Sequence, residues 1–399
     1  IGIGAAAILE WVTEQTQNIK GGAAKAFPVL VTGMLVLLGP VKMMAENYHT
    51  HDRTGNYVAS DYSYNMLVNC ETNGIMFTNG DNDTFPLWYL QEVDQVRTDV
   101  RVANLSLLNT PWYIEQLKHK EPKVPISYSD EQIENIELKI WPKERKFEIP
   151  IRYEKVRNLE TQRYNSLNLS SDSVVADQKL SFKIKPKYQV PTRGGGRVGA
   201  LRVQDLMILN ILSTNQFRKP VYFAVTTSRQ NQLDELQKYL RMDGLVFKVT
   251  TIPGWEIDPE ILYDNLMNKF RYRNLNNPDV YFNDNIIGLV QNYRSAFFRL
   301  AHHYLLNDER ERFDEVIQKL SEKMPPEVIP FTNRQFEQVL TGFGILAGVY
   351  PLDTLNTQNF SLPELQSYGQ MAESYGGAEL IKAAYGEVLK QIEANPGSP

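Results

Sequence analysis

With 399 residues, 42% of them hydrophobic and 22% charged, the chain has an ordinary globular balance and room for two or three domains. A net charge of −5 offers no basic surface for nucleic acid, so no nucleic-acid partner is expected. Cys70, the only cysteine, excludes an intrachain disulfide, and the five histidines form neither an H-E-x-x-H nor a Cys/His zinc pattern.

The opening residues, Ile1-Gly2-Ile3-Gly4-Ala5-Ala6-Ala7-Ile8-Leu9, read like the tail of an apolar helix whose beginning is missing, so the sequence is expected to be a piece of a longer protein. Ala26 to Val41 is an uncharged apolar run bracketed by Lys25 and Lys42. At about 1.5 Å per residue it falls a little short of a ~30 Å hydrocarbon core, but snorkelling lysines and Met43-Met44 extend it. A transmembrane helix over about residues 26–44 is therefore predicted, with membrane lipid as its partner. A signal-peptide core, a signal anchor and a buried core helix are the alternatives. Pro28, Gly33 and Pro40 sit more easily in a membrane helix, and no small-x-small cleavage site stands clear after Leu38. Lysines on both flanks leave the orientation undecided by charge. The polar segment from Glu46 to Tyr57 reads as a linker, in which His49, His51 and Asp52 form a hydrogen-bonded turn rather than a metal set.

Tyr57 to Leu67 reads as a helix leading into the stretch that organises the chain. Gly74-Ile75-Met76-Phe77 is a strand, Thr78-Asn79-Gly80-Asp81-Asn82-Asp83-Thr84-Phe85-Pro86 a turn, and Leu87 to Val93 a capped helix. The unit recurs: Asp99 to Leu108 is a second β-rich run and Asn109-Thr110-Pro111-Trp112-Tyr113 opens a second helix. A parallel pair joined by a crossover helix brings both loops to one sheet edge, where α/β proteins bind ligands. Asn79, Asp81, Asn82, Asp83, Trp88, Asn104, Ser106, Asn109 and Trp112 are thus the candidate ligand-binding residues. Carboxylates and amides take hydroxyls while indoles stack on apolar sugar faces; a divalent cation, if any, falls to Asp81 and Asp83. The same residues have structural uses. Asp83 or Thr84 caps the helix, Asp81 shapes the turn, and both indoles pack in the core.

From Pro122 to Tyr188 short alternating runs such as Phe147-Glu148-Ile149-Pro150-Ile151 and Leu180-Ser181-Phe182-Lys183-Ile184 predict an antiparallel insertion, counted to residue 200. Gly194, Gly196 and Gly199 formally spell G-x-G-x-x-G, but Pro191 and Thr192 stand where a strand should precede it, so a mobile loop is expected. Val203 to Leu212 is a helix, Lys219 to Val225 a third strand of the sheet, Leu233 to Arg241 a helix and Leu245 to Thr250 an edge strand. The fold class is α/β, a mostly parallel sheet with an antiparallel insertion. From Pro259 onward the chain is expected to be all helical. With Pro325 as the closing proline of a tetratricopeptide repeat, Phe297, Leu300, Ala301, Tyr304 and Phe313 take its signature positions. With Pro396 in that place, Tyr368, Met371, Ala372, Tyr375, Ala384 and Val388 fall in register. An ordinary helical bundle is the alternative. The expected domains are residues 1–46, 47–255 and 256–399.

The stretch Thr78 to Tyr89, with Asn104 to Thr110 and Trp112-Tyr113 after it, resembles the C-terminal region of the protein O-mannosyltransferase-like membrane family known as domain of unknown function 2723, or glycosyltransferase family 117. His51-Asp52-Arg53, Arg218 to Ala224 and Phe270-Arg271-Tyr272-Arg273-Asn274-Leu275 resemble it too. The likeness runs from about Asn47 to the end. It implies a membrane bundle that transfers sugar from a polyprenyl-phosphate donor to protein hydroxyls, abundant in Bacteroidota, with Ala26 to Val41 as its last helix and the soluble part in the periplasm. The catalytic carboxylate implied by the resemblance lies upstream of Ile1, so no catalytic residue is carried over. Two functions compete. One is an accessory tail that holds a protein acceptor or partner through its loops or helical array. The other is an independent α/β enzyme using the Asp81/Asp83 loop, and a purely structural cap is the bland third.

Overall fold

The computed structural model describes residues 2–16, 22–192, 194–354 and 361–374, together with 378, 380–382, 386, 390 and 393. The chain forms two compact units, residues 1–56 with 278–283 and residues 57–277 with 284–399.

In the first unit, α1 (Gly2–Thr16) packs on α2 (Ala23–Val36), which runs through a π turn at Leu37–Val41 into α3 (Lys42–His51). Ala26–His51 is one continuous apolar helix of 26 residues, long enough to cross a membrane, and none of its most apolar window is buried. The helix thus overruns the expected linker by a turn and a half, because nothing in Glu46 to His51 breaks it. Only at Asp52 does the backbone turn extended, and the Asp52 carboxylate there accepts the Thr54 N–H at 2.8 Å. His49 lies edge-on to Tyr281 and His51 bonds within its own helix, so of the three residues expected in a turn only Asp52 is in one, and the two histidines belong to α3.

The second unit is built on a five-stranded sheet. Helix α4 (Val58–Asn69) precedes β1 (Ile75–Thr78), α5 (Asp81–Glu92) and β2 (Arg101–Asn104), and β1 pairs β2 in parallel with Ile75 opposite Arg101 and Thr78 opposite Asn104. All four β1 side chains are buried, so both sheet faces are covered. After α6 (Pro111–His119) and the one-turn α7 (Asp130–Glu134) comes the insertion. It holds β3 (Lys139–Ile140), β4 (Arg145–Pro150), α8 (Glu154–Ser166), β5 (Lys179–Ile184), β6 (Tyr188–Pro191) and β7 (Arg197–Leu201). All of its pairings are antiparallel, as expected. The polar helix α8 is an addition that weak apolar periodicity hid. The glycine-rich segment is the turn of the β6/β7 hairpin, not a strand-to-helix turn, with Arg193 outside the described residues. Gly199 is required there by packing, since a Cβ would meet Pro186 Cβ at 2.4 Å.

Helix α9 (Val203–Asn215) leads to β8 (Val221–Ala224), parallel to β1 on its other side. The helix expected from Leu233 to Arg241 is instead a 3-10 segment, Asp234–Tyr239, followed by β9 (Leu240–Met242). Leu233 enters it with φ of +58°, and Arg241 is drawn into the sheet by a buried carboxylate. The expected edge strand is β10 (Val246–Val249), which lies inside the sheet, antiparallel to both β8 and β9. The order is β2-β1-β8-β10-β9, a mixed sheet with parallel pairings at one half and antiparallel pairings at the other.

Helix α4 ties this sheet to the helical region through a polar stripe at i, i+4 and i+8. Asp61 accepts the Arg273 N–H at 2.9 Å, Asn65 the Arg271 N–H at 2.8 Å and Asn69 the Leu245 N–H at 2.7 Å. All three are buried, and each side chain replaces water for a main-chain donor that no helix or strand satisfies. Beyond α10 (Pro259–Asp264) and an irregular stretch, α11 (Asp284–Leu306) and α12 (Arg310–Lys323) pack together across a short connection. Phe297, Leu300, Ala301, Tyr304 and Phe313 are all fully buried in that helical pair. Helices α13 (Arg334–Leu346) and α14 (Leu362–Ser374) follow, and no strand appears after Val249 among the described residues. In the second repeat register Ala372 is buried, whereas Tyr375, Ala384, Val388 and Pro396 lie outside the described residues, as do the side chains of Tyr368 and Met371.

Burial holds the imidazoles of His302 and His303 on α11 below their ordinary value of 6.5, against the opposing pull of Glu256 and Glu309 respectively. The unfolded chain therefore takes up protons first, and stability is expected to fall as the pH drops through about 6.5 and to level off below the folded values. Denaturant melts at about pH 7.5 and 5.5 check this. His303→Gln is expected to lose less stability between those pH values than the parent chain; an equal loss would place the titration on other groups.

Candidate functional site

Because β2, β1 and β8 are parallel neighbours, the loops after Thr78, Asn104 and Ala224 leave the sheet at one edge. Together with α4 and α11 the first and third of these loops enclose a crevice of about 250 Å3. Its walls are Tyr62 and Ser63 of α4, the run Asn79 to Asp83, Thr226, and Leu289 of α11.

The helix begins at Asp81, earlier than the sequence suggests, so Asp83 is not the cap but the third helical residue. From there its carboxylate reaches back to the N–H groups of Gly80 at 2.9 Å and Asn79 at 3.1 Å, and it accepts the Thr226 hydroxyl at 2.7 Å. Three donors thus occupy both of its oxygens. Thr84, the other expected cap, is buried one residue further on. Its hydroxyl donates to the Gly80 carbonyl at 2.6 Å, accepts the Asn104 carboxamide N–H at 2.8 Å, and meets the Thr78 hydroxyl at 2.7 Å. Asp81 and Asn82 are exposed, and their side chains form no hydrogen bond among the described residues. Residues i and i+2 of a helix do not face each other, so the Asp81 and Asp83 carboxylates diverge and make no chelating pair. Among the described residues no three His, Cys, Asp or Glu side chains come close enough to hold a metal ion.

The other polar candidates are drawn into the loops' own scaffold. Asn104, with 0% of its surface exposed, bridges the Thr84 hydroxyl and the Leu107 N–H. Ser106 donates to the Asn79 carbonyl at 2.9 Å, and the Asn79 side chain accepts from Asn231 at 2.6 Å. Asn109 exchanges two hydrogen bonds with Gln204: its carboxamide donates to the Gln204 side chain at 2.9 Å and accepts the Gln204 N–H at 3.0 Å.

Trp88 and Trp112 do not join this crevice. Trp88 stands seven residues beyond Asp81, about 10 Å along the helix, where its ring faces Tyr113 of α6. Both indoles line a separate groove of about 520 Å3 between α5 and α6, floored by Arg101 and Val102 of β2. Trp88 is half-buried against the core, while Trp112 remains 56% exposed and is not a core residue.

Tyr62, Ser63, Thr226 and Leu289 carry no sequence signal for a site, except that Thr226 follows a strand expected to lie in the same sheet. Burial drives the Tyr62 phenol far above its ordinary range, so at neutral pH it is an uncharged wall group, accepting from Asn292 at 3.0 Å. The crevice thus offers one free carboxylate, one free carboxamide and neutral hydroxyls, a set that accepts and donates hydrogen bonds. Asp83→Ala strands two main-chain donors and a hydroxyl and is expected to cost about 2–3 kcal/mol. Asp81→Ala, being exposed and unbonded, is expected to stay within about 0.5 kcal/mol of the parent. Thermal melts of the two variants side by side measure the difference.

A family model described as TMEM260-associated domain 2 matches residues 59–193 and again residues 144–259. The two matches together run from residue 59 to residue 259, half of the 399 residues. No curated protein and no solved structure matches the chain.

Proposed function

The chain belongs to the TMEM260-associated domain 2 family, and from that premise we propose that it is the extracytoplasmic C-terminal part of a membrane glycosyltransferase, holding the protein acceptor. In this reading the catalytic bundle, with its polyprenyl-phosphate-linked sugar donor, is similar to the protein O-mannosyltransferase-like family and lies before this sequence. The observation that supports it is the bare apolar helix Ala26–His51 in a chain whose family name points to a membrane protein. The soluble part then faces the periplasm. Acceptor binding falls to the crevice, where Asp81 and Asn82 project freely beside the hydroxyls of Ser63 and Thr226, a row of partners for an extended segment rich in serine and threonine.

An independent metal-dependent enzyme is the weaker reading, since the Asp83 carboxylate is occupied by three donors. The test is the affinity of the full chain, in detergent, for fluorescent Ser/Thr-rich peptides. Asp81→Ala combined with Asn82→Ala is expected to weaken binding about tenfold with an unchanged melting temperature. Peptides that bind neither form, or both equally, overturn the proposal.

A further inference from the structure

We infer that the groove between α5 and α6 is a second ligand site, one shaped for the pyranose rings of a neutral glycan. One of its aromatic walls, Tyr113, is fastened in place. Tyr113 is buried at the back, where its hydroxyl accepts the Asn104 N–H at 2.9 Å and donates to the Val102 carbonyl at 3.4 Å. Trp112 meets the Tyr113 ring edge-on at 5.5 Å, and Trp88 lies 6.4 Å from the same ring. Both indoles thus contact a phenol that is itself fastened to the edge strand. The larger part of Trp112 is left in solvent.

Several polar groups around these rings are unengaged. The indole N–H groups of Trp88 and Trp112, the Glu92 carboxylate and the Gln116 carboxamide make no hydrogen bond among the described residues. Arg101 uses its two terminal nitrogens on the carbonyls of Glu121 at 3.2 Å and Gln116 at 3.3 Å, while its Nε is buried without a partner. Planar apolar faces interleaved with free donors and acceptors suit a ring that has C–H faces and an equatorial rim of hydroxyls.

Two other occupants fit less well. An added β-strand needs the outward main-chain groups of β2, and the Tyr113 hydroxyl already holds the Asn104 N–H and the Val102 carbonyl. An anion meets Glu92 and Glu121 in the groove lining, with the guanidinium's ends already committed to carbonyls.

This inference stands apart from the acceptor-binding proposal, because it uses none of the crevice residues. The test is saturation-transfer NMR on the full chain in a detergent without a sugar headgroup, titrated with cellohexaose, maltohexaose and mannohexaose. At least one is expected to bind, with Trp112→Ala weakening it about tenfold or more and Asp81→Ala leaving it unchanged. Trp112 is exposed enough that its loss is expected to leave the melting temperature in place. No saturation transfer from any of the three at millimolar concentrations, or equal binding by Trp112→Ala, overturns the inference.

Discussion

Replacing Asp243 by alanine is expected to destabilise the unit that holds the sheet by about 3–5 kcal/mol, the cost of leaving a buried charge without its partner. The side chains of Arg241 and Asp243 are only 2% and 3% exposed. Arg241 donates from Nε at 2.7 Å and from Nη2 at 2.9 Å, a two-pronged match that a lysine does not make. The guanidinium also lies 4.0 Å above the ring of Trp255. Burial by itself works against its charge, but Asp243, followed by Asp258 and Glu160, holds its pKa above the ordinary value. Asp258 is in turn gripped at 2.7 Å by both prongs of Arg163 from α8, so the network fastens the insertion to the sheet's antiparallel edge. Urea melts measure the loss. Arg241→Met with Asp243→Leu is expected to cost less than Asp243→Ala alone, because it removes both charges together. A loss below about 1 kcal/mol for Asp243→Ala would mean that Asp258 and Glu160 compensate for the missing charge.

That network marks the limit of what is legible in the sequence. The parallel β1/β2/β8 core can be read because each strand is a short apolar run closed by Gly, Asn, Thr or Pro, and such runs keep their meaning wherever they pack. Leu233 to Arg241 reads as a helix because its apolar spacing fits one. A left-handed Leu233 and a buried ion pair, both tertiary facts, decide otherwise. The stripe of Asp61, Asn65 and Asn69 has the same character. Polar residues at helical spacing look solvent-facing until the segments that they hold, Arg271 to Arg273 and Gly244-Leu245, are folded against them. In the candidate site the strand-loop-helix unit and its recurrence are visible from the residues. The division of labour within it is not, since only the closed loops show that Asp83 is occupied, that Asp81 is free, and that the two indoles open onto another face.

The continuous helix from Ala26 to His51 carries the other large expected effect. Its side chains Leu30, Met34, Leu37, Leu38 and Met44 are each more than half exposed. A soluble unit does not leave such a surface in water, because burial of apolar area is the main favourable term in folding. Pro40 has no N–H to offer the preceding turn, and the helix absorbs it by widening into the π turn of Leu37–Val41 rather than by breaking. A break at membrane depth would expose main-chain groups to hydrocarbon, so this local widening is what a spanning helix requires. Lys42 at the far side pairs with Glu46 at 3.7 Å, outside the apolar run. Arginine near the centre of a spanning helix costs about 2.5–3.5 kcal/mol on the insertion scale, so Met34→Arg with Leu37→Arg is expected to remove about 5–7 kcal/mol. The parent chain is expected to stay with membranes through alkaline carbonate extraction and the double variant to leave them. Met34→Leu with Leu37→Val, which changes shape but not polarity, is expected to behave as the parent. Retention of the arginine variant would mean that this helix does not anchor the chain.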